Sequence, residues 1–122
     1  MKIVVAEDEF LIADMLVVSL EEAGHEVHEA AHGAAALKLI REVVPDLVIT
    51  DFMMPLMTGL ELAEAIRADS ALQRIPIILV SGAQGAIARA RADLFDLVFD
   101  KPYAMDRLLA AVVQLGGNRN QS

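Results

Sequence analysis

Four short apolar runs in this 122-residue chain each end on residues that can carry charge or move protons. Glu7 and Asp8 follow residues 3–6, Asp51 follows 46–50, Ser81 follows 75–80, and Asp100 and Lys101 follow 95–99. If each run is a strand of one parallel sheet, these groups meet on one rim, which is where ligands bind in such sheets. Three carboxylates a few ångströms apart repel one another, and one takes up a proton unless a cation is present. A hard divalent ion relieves that crowding. Mg²⁺ takes oxygen ligands, accepts few protein carboxylates and keeps its other positions for water or phosphate oxygens. A lysine and a small hydroxyl opposite such an ion complete a cradle for a phosphoryl group, so the set has the composition of a phosphoryl-transfer site. The competing reading is that acidic residues at strand ends are merely solvated, with Glu7 and Asp8 at the positive end of a helix dipole. The arrival of every one of these positions on the same rim favours the chemical reading.

The secondary structure that could bring these groups together is read from the apolar pattern. Residues 3–6 (IVVA) are too few for a helix and suit a strand buried on both faces. From 9 to 23 Leu11, Met15 and Val18 recur at helical spacing and mark the expected core face, with Gly24 at the C-terminal stop. A polar strand at 25–30 reads as an edge. A helix over 34–43 is stopped by Pro45. A strand at 46–50 ends at Asp51, and a loop with Pro55 and Gly59 leads into a helix to about 68. A strand at 75–80, an alanine-rich helix over 84–92, a strand at 95–99 and an amphipathic helix carrying Met105, Leu108, Leu109, Val112 and Val113 complete the series. Five strands alternating with five helices predict an open α/β fold, a doubly wound parallel sheet with helices on both faces. Residues 1–115 form the expected domain, and 116–122 (GGNRNQS) read as a disordered tail.

Composition narrows the class of function. There are no cysteines, which excludes a disulfide scaffold and thiol chemistry. Ten basic against eighteen acidic side chains give a formal charge of −8, without a basic run, so direct nucleic-acid binding and an anionic membrane surface are not expected. No stretch has the length of a bilayer span or of a signal-peptide core, and a cytoplasmic location is the expectation.

The sequences Ala6-Glu7-Asp8-Glu9, Asp51-Phe52-Met53-Met54-Pro55-Leu56-Met57-Thr58-Gly59, Ser81-Gly82 and Lys101-Pro102, in this order and spacing, resemble the receiver domain of two-component response regulators. The similarity covers about residues 2–115. It implies a flavodoxin-like (βα)5 sheet in strand order 2-1-3-4-5. It also implies that Asp51 is the phosphoacceptor, that Ser81 donates to a phosphoryl oxygen, and that Lys101 pairs with Asp51 and then with the phosphoryl group. Glu7, Asp8, Asp51 and the backbone carbonyl of Met53 would hold Mg²⁺, and the Lys101–Pro102 peptide would be cis. The implied protein is a stand-alone receiver, not an enzyme on a second substrate but a domain that catalyses its own phosphorylation and dephosphorylation. Its implied partners are a sensor histidine kinase or a histidine phosphotransfer protein as donor, and a downstream protein target.

Two departures from the family pattern carry expectations of their own. Three residues before Lys101, where an aromatic is usual, stands Val98, and Phe99 should point to the opposite face of the sheet. The conformational change is therefore expected in the loop after the fourth strand, residues 81–85, where Gly82 adds freedom. Met53 and Ala83 flank the path of an attacking water and neither can orient it, so loss of the phosphoryl group is expected to be slow. His25, His28 and His32 read as edge-strand histidines and not as a metal site, and the methionines of 53–57 as cover for the rim. Two rival functions come from other classes. A phosphatase-like enzyme with an aspartyl nucleophile lacks a second Asp two residues after Asp51, where Met53 stands; a phosphorylation-independent adaptor has no need of the complete residue set.

Overall fold

The chain's structure, a computed structural model, describes residues 1–120, the side chains of 117–120 excepted. Strands and helices alternate: β1 Lys2–Ala6, α1 Phe10–Glu22, β2 Glu26–Ala30, α2 Gly33–Val43, β3 Leu47–Asp51, α3 Gly59–Ala68, β4 Ile77–Ser81, α4 Gly85–Arg89, β5 Leu97–Asp100 and α5 Met105–Asn120. The five strands form one parallel sheet in the order β2-β1-β3-β4-β5. The expected fold and strand order are thus the observed ones. β1, β3 and β4 are flanked on both sides and almost wholly buried, which is why they read as unbroken apolar runs. β2 is an edge, and its glutamates face solvent.

Alternate residues along the strands feed two cores. Val4, Val48, Ile77 and Leu79 face α2 and α3 through Ala36, Ile40, Leu62 and Ile66. Ile3, Val5, Leu47, Ile49, Ile78 and Val80 face α1 and α5 through Leu16, Leu20, Leu108 and Val112. A brace of hydrogen bonds ties the far side of the sheet together: the Arg67 guanidinium donates to the carbonyls of Gln73, Ile75 and Leu94 and to the Asp96 carboxylate. Asp96 in turn accepts the Ile77 N–H at 2.8 Å, so one cation fixes the loops before both β4 and β5.

Three expectations from the sequence need correction. On α1 the buried residues are Ala13, Leu16 and Leu20, while Leu11, Met15 and Val18 are 70%, 65% and 44% exposed. The helix carries two apolar stripes of equal helical spacing, and only packing decides which one meets the sheet. The second departure is α4, which spans five residues instead of nine. It has no side-chain cap and buries only Gly85 and Ala88, so alanine propensity alone does not extend it. Third, α5 runs on to Asn120 across most of the expected tail. Gly116 sits against the Met1 side chain so closely that a Cβ there would collide. Gln121 and Ser122 of that tail lie outside the described residues.

Candidate functional site

The C-terminal ends of β1, β3, β4 and β5 lie side by side, and their last residues build the site. Asp51 closes β3 with its carboxylate fixed from two sides. One oxygen, Oδ1, accepts the N–H of Phe52 at 2.8 Å, and the other, Oδ2, accepts from the Lys101 ammonium at 3.2 Å. The loop after it folds back tightly, because the Gly59 N–H donates to the Phe52 carbonyl at 2.8 Å. A Cβ at Gly59 would strike the carbonyl oxygen of Asp51, so only glycine allows α3 to start there. Thr58 and Glu61 close that start with reciprocal side-chain bonds of 3.1 and 3.0 Å.

Glu7, just past β1, is buried and has its carboxylate 3.3 Å from the same Lys101 ammonium. Its backbone N–H donates to the Ala30 carbonyl, which holds the chain on the line of the sheet for one more residue. Asp8 is exposed beside it. One carboxylate oxygen from each of Glu7, Asp8 and Asp51 lies within 4.8 Å of the others, the one such cluster of potential metal ligands among the described residues. Burial, reinforced by the hydrogen bond and the charge of Asp51, pushes the Glu7 carboxyl up to about 7. Burial alone would lower the Lys101 ammonium, but the Asp51 and Glu7 carboxylates outweigh it and raise it. Three carboxylates against one ammonium thus leave an excess of negative charge, and that crowding adds to burial in raising the Glu7 carboxyl. An oxygen-only, anionic donor set of this kind fits Mg²⁺ and does not suit a softer ion.

Ser81 ends β4, fully buried, and its carbonyl accepts the Lys101 N–H at 2.8 Å, so the hydroxyl residue and the lysine are tied through their backbones. The Lys101–Pro102 peptide is cis. Met53, two residues past Asp51, exposes its side chain on the rim loop. All the residues expected from the sequence are therefore gathered at this rim. Val98 packs into the core on the α3 side, while Phe99 lies in the opposite core with its ring 6.1 Å from that of Tyr103. The histidines do not converge: His25 meets the N-terminus, His28 pairs with Glu26, and His32 caps α2 by accepting the Ala35 N–H.

One residue at the site was not evident from the sequence. Gln84, expected only as the start of a helix, grips the Ser81 hydroxyl from both sides. No sequence signal marked it out: the spacing Ser-x-x-Gln matches a capping box, yet α4 begins only at Gly85 and the Gln84 side chain accepts from the Ser81 hydroxyl and the Ala83 N–H instead of the Ser81 backbone N–H.

The chain and its fold are similar to known proteins. The profile of the response regulator receiver domain matches residues 3–113. The phosphate regulon transcriptional regulatory protein PhoB of Rhizobium meliloti is 34% identical over 113 residues, which are 91% of this chain and 50% of that protein. The chain thus spans about half the length of such curated relatives. Among solved structures, the receiver domain of a Francisella response regulator superposes with a TM-score of 0.89 at 28% identity, covering 97% of this chain and 98% of that one. The receiver domain of a signal transduction histidine kinase from Syntrophus aciditrophicus gives 0.91 at 27%, covering 99% and 93%. With the family profile spanning residues 3–113 and the fold matching those receiver domains, this chain belongs to the response regulator receiver domain family.

Proposed function

We propose that the chain accepts a phosphoryl group on Asp51 from a phosphohistidine donor, itself catalyses that transfer and the later hydrolysis of the acyl phosphate to inorganic phosphate, and signals through a protein partner in the cytoplasm. The observation that carries this reading is the Asp51 carboxylate, held by the Phe52 N–H and the Lys101 ammonium beside the carboxylates of Glu7 and Asp8. An Asp51 oxygen attacks phosphorus and forms the O–P bond of an acyl phosphate. The P–N bond to the donor imidazole breaks and its electron pair stays on that nitrogen. Lys101 stands 3.2 Å from the nucleophile, so its ammonium neutralises charge on the transferring oxygens without moving far. Glu7, Asp8 and Asp51, with the Met53 carbonyl, would hold Mg²⁺, which when bound supplies positive charge to the phosphoryl oxygens. The test is intact mass after incubation with acetyl phosphate and Mg²⁺. One stable adduct at Asp51 supports the switch, release of phosphate without an adduct points to an enzyme, and no reaction with this or a protein donor points to an adaptor.

The exposed stripe of α1 bears on the donor. Ile12 and Met15 form one wall of an apolar cleft whose other walls are Lys101, Pro102, Tyr103 and Met105, so the cleft adjoins the site itself. A donor protein that reaches Asp51 also covers this cleft and the neighbouring Leu11 and Val18. Exposed acidic side chains at Asp14, Glu21 and Glu22 flank the stripe, and they favour a basic rim on the partner. Leu11→Glu combined with Met15→Glu is expected to lower the rate of transfer from a phosphorylated protein donor by about tenfold or more relative to the acetyl phosphate rate, as for truncation of a buried apolar anchor. Equal loss with both donors, measured by stopped labelling time courses, would place donor docking elsewhere.

The lifetime of the adduct depends on what lines the path of water. Met53 and Ala83 are both exposed there and offer no hydrogen-bonding side chain. Met53→Asn keeps the backbone carbonyl and adds an amide able to orient water, and should speed phosphate loss from Asp51 by about tenfold, the scale on which orientation acts. Decay of the adduct followed by mass after donor removal measures it, and an unchanged half-life dismisses the role of this position.

A further inference from the structure

We propose that Gln84 is a positioning residue that keeps the Ser81 hydroxyl engaged within its own loop, so that this grip must open before Ser81 can donate to a phosphoryl oxygen. The inference rests on the reading of Asp51 as the phosphoacceptor. Ser81 is fully buried, and among the described residues its hydroxyl makes both of its hydrogen bonds to Gln84. It donates to Oε1 of the Gln84 side chain at 3.2 Å and accepts the Gln84 backbone N–H at 2.8 Å. The same Oε1 accepts the Ala83 N–H at 3.4 Å, which closes residues 81–84 into a ring. A serine has one hydroxyl proton to give, and here it is given to Gln84. Transfer of a phosphoryl group to Asp51 creates a stronger, charged acceptor that competes for that proton.

The grip reaches beyond a local bond, because the helix immediately after Gln84 is held against β5. Gly85, the first residue of α4, lies so close to the Asp100 carboxylate that a Cβ would collide with it. Asp100 holds the Arg89 guanidinium of α4 at 2.7 and 3.3 Å, and pairs in register with Ser81 across the sheet. Release of Ser81 by Gln84 therefore loosens the lead into a helix that is clasped to β5 at its first and last residues. With Val98 where a moving ring would stand, this segment carries the response instead.

Gln84→Met retains the length of the side chain and removes the acceptor. With acetyl phosphate and Mg²⁺, the full chain carrying it is expected to label Asp51 about three to ten times faster at saturating donor, the equivalent of one net hydrogen bond removed from the resting state, with half-saturation unchanged. Ser81→Ala is expected to label more slowly, and adding Gln84→Met to Ser81→Ala should change nothing further, because Gln84 acts only through the hydroxyl. A residue needed merely for loop stability would change the rate by the same factor in both backgrounds, and that result overturns the proposal, as does an unaltered rate in the Gln84→Met single variant. A wild-type chain that takes no label overturns the reading of Asp51 and this inference with it, whereas wild-type labelling with additive variants overturns the inference alone.

Discussion

Asp51→Asn is expected to abolish phosphoryl uptake, with no adduct detectable by intact mass after acetyl phosphate and Mg²⁺ under conditions that label the parent chain. The reacting atom is a carboxylate oxygen, and an amide oxygen at the same place is too weak a nucleophile to attack phosphorus. The substitution is otherwise mild. The Phe52 N–H can still donate to the Asn oxygen as it does to Oδ1 at 2.8 Å, and the shape at the end of β3 is preserved. What changes is charge. Lys101 loses one of its two carboxylate partners, 3.2 Å away, and keeps Glu7 at 3.3 Å. Two of the three reasons for the raised Glu7 carboxyl, the hydrogen bond and the charge of Asp51, disappear together, so Glu7 ionises more readily and takes over the pairing with Lys101. The variant should therefore fold with a melting temperature at or above that of the parent while failing to label. That combination separates lost chemistry from lost structure. An adduct forming on the variant at the parent rate would assign the phosphoacceptor to another residue.

The candidate site residues could be read from the sequence because they stand at places fixed by the strongest local signals. A run such as IVVA or DLVIT has one stable environment, a strand covered on both faces, and the residue that ends it must lie on the rim. Chain reversals at Pro45, Pro55 and Gly59 then leave few alternatives for the order of elements. Helix faces were less legible. Leu11, Met15 and Val18 repeat as regularly as Ala13, Leu16 and Leu20, and the smaller stripe is the one that meets the sheet. The same ambiguity has functional content, since the stripe left outside borders the cleft beside Lys101. The end of α5 escaped detection for another reason. Gly116 reads as a stop when taken alone, yet its missing side chain is what admits Met1, a contact between opposite ends of the chain. Gln84 was invisible because its role lies in a side-chain acceptor meeting a hydroxyl three residues back, and the polar spacing alone does not distinguish that from a solvated helix start.

Glu7→Gln should remove the fall in stability with rising pH that Glu7 imposes on the metal-free protein between pH 5 and 8. In the folded chain burial, followed by the hydrogen bond and charge of Asp51, raises the Glu7 carboxyl from 4.5 to about 7. Below the unfolded value both states hold the proton and Glu7 makes no difference. Between the two values the unfolded chain loses that proton while the folded chain keeps it, so stability falls as pH rises, and above about 7 the loss is complete. Each unit of difference corresponds to about 1.4 kcal/mol, and after allowance for solvent screening at the rim the total cost is about 2 kcal/mol. Lys101 does not offset this, since its ammonium is raised and stays charged throughout the window. Glutamine has no proton to lose, keeps an oxygen for the Glu9 N–H, and should make the chelated protein about 1 to 2 kcal/mol more stable than the parent at pH 8 while leaving pH 5 little changed. Mg²⁺ is expected to stabilise the parent more than the variant. In the parent at pH 8 it binds the ionised carboxylates, relieves their crowding and restores stability, and in the variant, with one carboxylate fewer, its affinity should fall about tenfold or more. Urea unfolding at the two pH values, with a chelator and with Mg²⁺, measures all four terms. The lowered His25 imidazole, desolvated and beside the N-terminal ammonium, adds stability as pH rises in both chains alike, so the comparison is between them. A parent and a Glu7→Gln chain with the same change in stability from pH 5 to 8 without metal would show that the carboxylates at the rim do not crowd one another.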